Sequence, residues 1–284
     1  MIEQLVPGPP AWTGDASELV DLDLYPLLEP GSPRYAQVVE AARADLRAKG
    51  AAELAAFVRP DAMALLLADA RALAPFAWRR SGMGSAYLAT PDPDLPELHP
   101  RRWLGPRSLG AVAYDLFPQS SPLRVLYEWD AVMSFVEAIV GRGRLYRYAD
   151  TCGALNLSVM IAGDELQWHF DQTDFVVSLA LQDAERGGDF EVVPFIRSER
   201  DERYGAVRDV LNSDRSAVVA LEMTPGTLLV FEGRYSLHQV SKVAGAVDRL
   251  VALLSYDTKP GTVSSDWLRK LRYGRGPEAH SRNG

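Results

Sequence analysis

Four histidines occur in the chain, His99, His169, His238 and His280, and two of them stand in contexts that could serve one metal ion. In Gln167-Trp168-His169-Phe170-Asp171-Gln172 an imidazole and a carboxylate are separated by a single residue. Extended backbone points residues i and i+2 to the same side, so His169 and Asp171 can offer a nitrogen and an oxygen to a single ion. That spacing alone is a weak signal, because Asp and Glu account for 38 of the 284 residues. His238 follows the apolar run Thr227–Phe231 and a short turn, at the start of a further strand. By itself it reads as a structural histidine at a strand edge. Arg249 lies farther on and opens the apolar run Leu250–Leu254. An inward guanidinium on such a strand needs an anion, since an unpaired buried charge is costly. Arginine also grips a carboxylate with two parallel hydrogen bonds. The bland alternative is a rim arginine paired with Asp248 or Glu222.

The ordered combination says more than its parts. Two histidines and one carboxylate on one face of an iron form a facial triad with open positions. Those positions can take a chelating 2-oxo acid and dioxygen, and a downstream arginine can hold the acid's far carboxylate. Zinc or manganese would suit the three ligands equally well, and it is Arg249 that favours iron(II) with 2-oxoglutarate.

At these residues the chain resembles the iron(II)- and 2-oxoglutarate-dependent oxygenase superfamily. More narrowly, it is similar to the group of carrier-independent amino-acid radical halogenases and their hydroxylase relatives. The likeness is carried by Tyr146-Arg-Tyr-Ala-Asp150, Trp168-His-Phe-Asp171, Leu179-Ala-Leu-Gln182 with Gly187-Gly-Asp-Phe190, Gly226-Thr-Leu, Leu237-His-Gln-Val240 and Leu253-Leu-Ser-Tyr256, with His99-Pro-Arg-Arg102 also familiar. It spans about residues 90–262. The resemblance implies iron(II) and 2-oxoglutarate as cofactors, with iron on His169, Asp171 and His238 and the C5 carboxylate of 2-oxoglutarate on Arg249. In the halogenases of this group a small residue replaces the carboxylate and leaves a coordination site for chloride. Asp171 fills that site here, so the resemblance implies hydroxylation of an unactivated C–H bond in a free amino acid or similar small polar metabolite.

Around this centre, Asn156 in the first barrel strand could hydrogen-bond 2-oxoglutarate or substrate. Arg101, Arg102 and Arg107 are candidates for a substrate carboxylate, and Asp174 and Glu128 for a substrate amine. Trp168 and Phe170 could wall the pocket, although plain core aromatics is the simpler account. Cys152 has no basic neighbour in sequence and reads as a packing residue, and His280 lies in a polar tail.

The elements that must position these groups fall into two textures. Residues 1–33 are rich in Pro and Gly and read as an extended arm. Helical spacing predicts Tyr35–Lys49 stopped by Gly50, a second helix from about Ala51 or Arg59 to Leu73, and a third over Pro122–Val140 closed by Gly141. Residues 80–108, broken by Pro91-Asp92-Pro93-Asp94 and His99-Pro100, read as loop. From about residue 143 short apolar and β-branched runs separated by turns predict strands near Leu155–Ile161, Phe175–Leu181, Asp189–Val193, Ala217–Leu221, Thr227–Phe231 and Leu250–Tyr256, with a surface helix over Arg200–Leu211. The expected fold is mainly β with a helical annex: a double-stranded β-helix (jelly roll, cupin-like) core packed by N-terminal helices. One domain over 1–284 is expected, divided as arm 1–33, helical and loop region 34–142, barrel 143–260 and tail 261–284.

Composition sets the remaining bounds. The chain is 47% hydrophobic and 24% charged, enough to bury a sizeable core, and its net charge of −8 argues against a nucleic-acid partner. One cysteine forbids an intrachain disulfide, and neither a secretory leader nor a membrane-length apolar run is evident, which points to the cytoplasm. The expected partners are a small-molecule substrate and dioxygen, and a homodimer through the N-terminal helices is compatible with this layout. Two other functions stay open on sequence alone. One is an oxygenase acting on a protein side chain or carrier-tethered substrate, and the other is a non-catalytic metal-binding jelly roll.

Overall fold

The computed structural model describes residues 12–275. In chain order the elements are α1 (Pro33–Lys49), β1 (Ala51–Leu54), α2 (Pro60–Leu73), β2 (Trp78–Ser85), β3 (Leu104–Val112), α3 (Pro122–Glu128), α4 (Asp130–Val140), β4 (Tyr146–Arg147), β5 (Leu155–Met160), β6 (Leu166–His169), β7 (Val176–Gln182), β8 (Phe190–Val193), α5 (Tyr204–Leu211), β9 (Val219–Leu221), β10 (Leu228–Phe231), β11 (Leu237–Val240), β12 (Arg249–Leu254), β13 (Tyr256–Asp257) and α6 (Asp266–Tyr273). Eleven strands form one antiparallel sheet in the order β1-β10-β7-β12-β5-β3-β6-β11-β8-β9, with β2 paired to β3. This is the expected mainly-β jelly roll with its helices packed outside. Its two halves are stitched by one residue pair, Arg107 of β3 with Leu166 of β6.

Alternation along the central strands sorts side chains to the two faces. Leu155, Leu157 and Val159 of β5, Val177, Leu179 and Leu181 of β7, and Leu250, Ala252 and Leu254 of β12 join the core beneath the helices. The residues between them, including Asn156, Ser158, Val251 and Arg249, turn to the barrel interior. Register confirms the sorting, since Arg249 pairs with Met160, Val251 with Ser158 and Leu253 with Asn156. Under the helices Tyr25, Tyr35 and Phe57 surround Phe135 at ring-centroid distances of 6.2, 5.7 and 6.3 Å.

Several expectations need correction. Gly50, at φ 69°, ends α1 as expected, but Ala51–Leu54 pairs with β10 as a strand, so the second helix begins only at Pro60. The single helix expected over Pro122–Val140 breaks at Trp129, whose backbone is extended. Arg147 makes the break tolerable: its Nε donates to the Tyr127 carbonyl at 2.9 Å and its Nη2 to the Glu128 carbonyl at 2.7 Å, satisfying groups that a helix end leaves orphaned. The 80–108 segment is not a loop throughout, because β2 and the start of β3 lie inside it, paired from Trp78↔Ala111 to Ser85↔Leu104. Glycines 82, 84 and 105 read locally as turn signals; the long-range ladder overrides them. The tail beyond residue 260 carries α6, capped by the Ser265 hydroxyl and ended by Gly274 at φ 66°. Among the described residues no helix is long and apolar enough to cross a membrane.

Phe135 is fully buried where the N-terminal segment, α1 and α4 converge. Phe135→Ala is expected to destabilise the protein by about 3–5 kcal/mol, read as a lowered denaturant midpoint with the sheet's circular-dichroism signal retained before the transition.

Candidate metal centre

The centre is built where β6 runs antiparallel to β11. His169 and His238 are direct cross-strand partners, and their rings lie 4.2 Å apart, centroid to centroid. Asp171 follows just past the end of β6, where its amide donates to the Gly233 carbonyl at 3.0 Å. Its carboxylate reaches within 3.4 Å of His238 Nε2. One ligand atom from each of His169, Asp171 and His238 lies within 4.8 Å of the others, a spacing that suits a single ion.

Backbone carbonyls fix the imidazoles. Nδ1–H of His169 donates to the Gln167 carbonyl at 2.9 Å, and Nδ1–H of His238 to the Ser236 carbonyl at 3.0 Å. A carbonyl can only accept, so each Nδ1 holds the proton and each Nε2 keeps a lone pair for a metal. Burial, then the neighbouring His238 and Arg107, pushes the His169 pKa well below its ordinary value, which keeps the ring neutral and ready to ligate. Phe231 stands edge-on to the His238 ring at 4.8 Å, and Phe190 lies at 5.6 Å. Gly233 faces the carboxylate so closely that an added Cβ would sit 1.9 Å from Asp171 Oδ2.

Two interior groups lack the partners their burial calls for. Arg249 is 7% exposed, makes no ion pair or side-chain hydrogen bond to a described residue, and is pushed down to about 10 by burial, with only partial relief from Asp183 and Asp189. Asn156 is buried with its amide oxygen unpartnered. Neutral imidazoles, a carboxylate, an unmatched cation and a free amide on one interior surface fit a divalent iron with a chelating dicarboxylate.

Of the substrate candidates, Arg107 alone is brought to the centre. Burial, then the charge of Arg80, pushes its pKa down to about 10, and Asp171 is the carboxylate that offsets this. Its Nη2 donates to the Ser85 carbonyl at 2.7 Å, while its buried Nε has no partner. Arg101 is exposed, and Arg102 donates to the Leu95 carbonyl at 2.9 Å. Trp168 needs correction: alternation turns it and Phe170 away from the triad, into an apolar cluster with Val193, Ile196, Val207 and Leu237 under α5. Asp174 is committed to Arg142 at 3.2 Å and Arg234 at 2.5 Å, and Glu128 to Arg124 at 2.8 Å. Cys152 is buried, and His280 lies outside the described residues. Sequence reasoning missed Gly233, Gly84 and the Phe190–Phe231 wall, since each acts only through neighbours distant in the chain.

Residues 102–266, more than half of the chain, match the family described as Halogenase D. The chain belongs to that family. No curated protein matches it. Among solved structures, AviO1 from Streptomyces viridochromogenes Tue57 is similar at 19% identity and TM-score 0.54, over 80% of this chain and 97% of that one. The non-heme α-ketoglutarate-dependent epimerase SnoN from nogalamycin biosynthesis is similar at 16% identity and TM-score 0.54, over 81% and 92%. The carbocyclase SnoK from the same biosynthesis is similar at 12% identity and TM-score 0.53, over 76% and 83%. These likenesses show the shared fold. Family, fold and the His–Asp–His cluster together place this Halogenase D member in the iron(II)- and 2-oxoglutarate-dependent oxygenase superfamily.

Gly233→Ala is expected to drive the Asp171 carboxylate out of the cluster. Affinity for iron(II), measured by anaerobic titration, should fall about 10–100-fold while the melting profile of the metal-free protein stays near wild type. Unchanged affinity would mean that Asp171 is not a ligand.

Proposed function

We propose that the protein is an iron(II)- and 2-oxoglutarate-dependent hydroxylase of an unactivated C–H bond in a free amino acid or similar small polar metabolite. The observation that carries the reading is Asp171, a carboxylate held opposite two Nε2 lone pairs in a chain of the Halogenase D family. A carboxylate there occupies the position that a halide would need, which favours hydroxyl transfer over halogen transfer.

In this reading His169, Asp171 and His238 hold the iron, and their protonation states need no adjustment because the Gln167 and Ser236 carbonyls already fix the tautomers. Arg249 pairs with the C5 carboxylate of 2-oxoglutarate, whose arrival supplies the anion that its burial lacks. Asn156, on the same interior face, adds an amide for 2-oxoglutarate or substrate. Phe190 and Phe231 keep water from the flank of His238. The bound cofactors, with dioxygen, supply the oxidising power that replaces hydrogen by hydroxyl while 2-oxoglutarate is converted to succinate and carbon dioxide. The protein's own work is positioning and shielding.

The test is succinate release from protein loaded anaerobically with iron(II) and 2-oxoglutarate, then aerated with a pool of small metabolites. Substrate-dependent succinate with a product heavier by one oxygen is expected. Asp171→Ala should abolish hydroxylation, and full turnover by that variant would end the triad assignment. Arg249→Gln should weaken 2-oxoglutarate binding by at least about tenfold, read anaerobically from the visible charge-transfer band of the iron–2-oxoglutarate complex; unaltered affinity would remove Arg249 from the site.

A further inference from the structure

The mouth of the centre carries more positive charge than the cofactor site uses. β2 and β3 share one face on which Trp78 pairs with Ala111, Arg80 with Leu109 and Gly82 with Arg107. Paired residues of an antiparallel ladder point to the same side, so Arg80 and Arg107 are diagonal neighbours on that face. It is the barrel's inner face, because Ala111 also pairs with Ser158. Gly84 makes room for the second of these arginines: an added Cβ would meet the Arg107 guanidinium at 2.4 Å from Nε.

The C-terminal helix crosses the same face. Tyr273 of α6 packs with Ala111, Ala113 and Cys152, and Gly274 lies against the Trp78 ring. Asp150 anchors the helix, receiving the Ser264 amide at 2.7 Å and the Arg269 Nε at 3.3 Å. Arg272, beside Tyr273, is thereby brought within electrostatic reach of His169, as Arg107 is. Neither Arg80 nor Arg272 makes an ion pair or side-chain hydrogen bond to a described residue. Other arginines of the chain are matched: Arg79 by Asp164, Arg142 by Glu232, Arg197 by Glu202 and Arg215 by Glu191. Three unmatched guanidiniums at the mouth of a metal centre, in a chain of net charge −8, are not a by-product of a basic surface.

We propose that Arg80, Arg107 and Arg272 form a seat for a dianionic group of the substrate, so that the molecule oxidised is an acidic one, a phosphate monoester or a dicarboxylate. This rests on the hydroxylase reading and names its substrate class. The seat holds the anionic end while the rest of the molecule reaches toward the triad. Doubly charged oxyanions suit it because each guanidinium presents a planar fork of donors. Basic amino acids, whose ammonium ends would meet these arginines, are disfavoured.

The test begins with sulfate, a tetrahedral dianion that ligates iron poorly. It is titrated by calorimetry into the anaerobic full-length protein loaded with iron(II) and 2-oxoglutarate. Saturable binding is expected, weakened by about tenfold or more in each of Arg107→Gln and Arg272→Gln. Arg80 is exposed, so Arg80→Gln perturbs the seat without threatening the fold and is expected to weaken binding in the same direction. Absence of saturable binding, or equal binding by wild type and all three variants, overturns the proposal. Succinate release is then compared across phosphate monoesters, dicarboxylic amino acids, neutral amino acids and basic amino acids. Stimulation by either acidic set, with the variants raising substrate KM while the charge-transfer titration of 2-oxoglutarate stays unchanged, supports the seat and tells phosphate from carboxylate. Stimulation confined to neutral or basic compounds overturns it, as does a shift in 2-oxoglutarate affinity without a shift in substrate KM. Loss of the charge-transfer band in wild-type protein would instead defeat the cofactor assignment, with sulfate binding still measurable on its own.

Discussion

The antiparallel pairing of β6 with β11 is the contact on which the rest of the centre depends. It sets His169 directly opposite His238, and opposed residues in such a ladder are held about 4.5–5.5 Å apart at Cα. The register then shifts before Val240 meets Leu166, so the strand that carries the first ligand can also reach β3 through Arg107. Asp171 is secured by the same crossing, since its amide bonds to the Gly233 carbonyl in the turn that leads into β11. All three ligands are thus fixed by one strand pair and one turn. The helices, remote from the metal centre, stiffen the other half of the barrel rather than touch the site.

Gly233 bears on the choice between halogen and hydroxyl transfer. Its hydrogen-sized side chain is needed because the Asp171 carboxylate occupies the space where a Cβ would stand. The backbone facing position 171 is therefore shaped around a carboxylate. In a family described by halogenation, that close fit marks the carboxylate as an integrated part of the structure, because two distant segments accommodate one another at it.

Charge placement gives the barrel a direction. Burying Arg249 without an ion pair costs free energy that the hydrophobic core must offset, and an incoming dicarboxylate recovers that cost on binding. Arg107 repeats the arrangement nearer the triad, with one buried nitrogen left without a partner. An acidic chain that concentrates unmatched guanidiniums in and around one cavity selects anions there while its outer surface repels them, so attraction is local to the site.

The sequence by itself determined the ligand types, the strand texture and the arginine that follows them. His169 and Asp171 share a side through local backbone geometry, and an apolar strand opened by Arg249 announces a buried cation without reference to any distant residue. Most helix ends were legible for the same reason, with Gly50 and Gly141 adopting the left-handed conformation that stops a helix. Tertiary structure decided what depends on partners far along the chain. Gly82 and Gly84 resemble turn residues until β3 pairs beside them, and Trp168 looks like a pocket wall until alternation sends it beneath α5. The seat formed by Arg80, Arg107 and Arg272 joins β2, β3 and the C-terminal helix, and no local pattern links them. Local backbone geometry is written in adjacent residues, whereas the meeting of distant elements follows from sheet register and core packing.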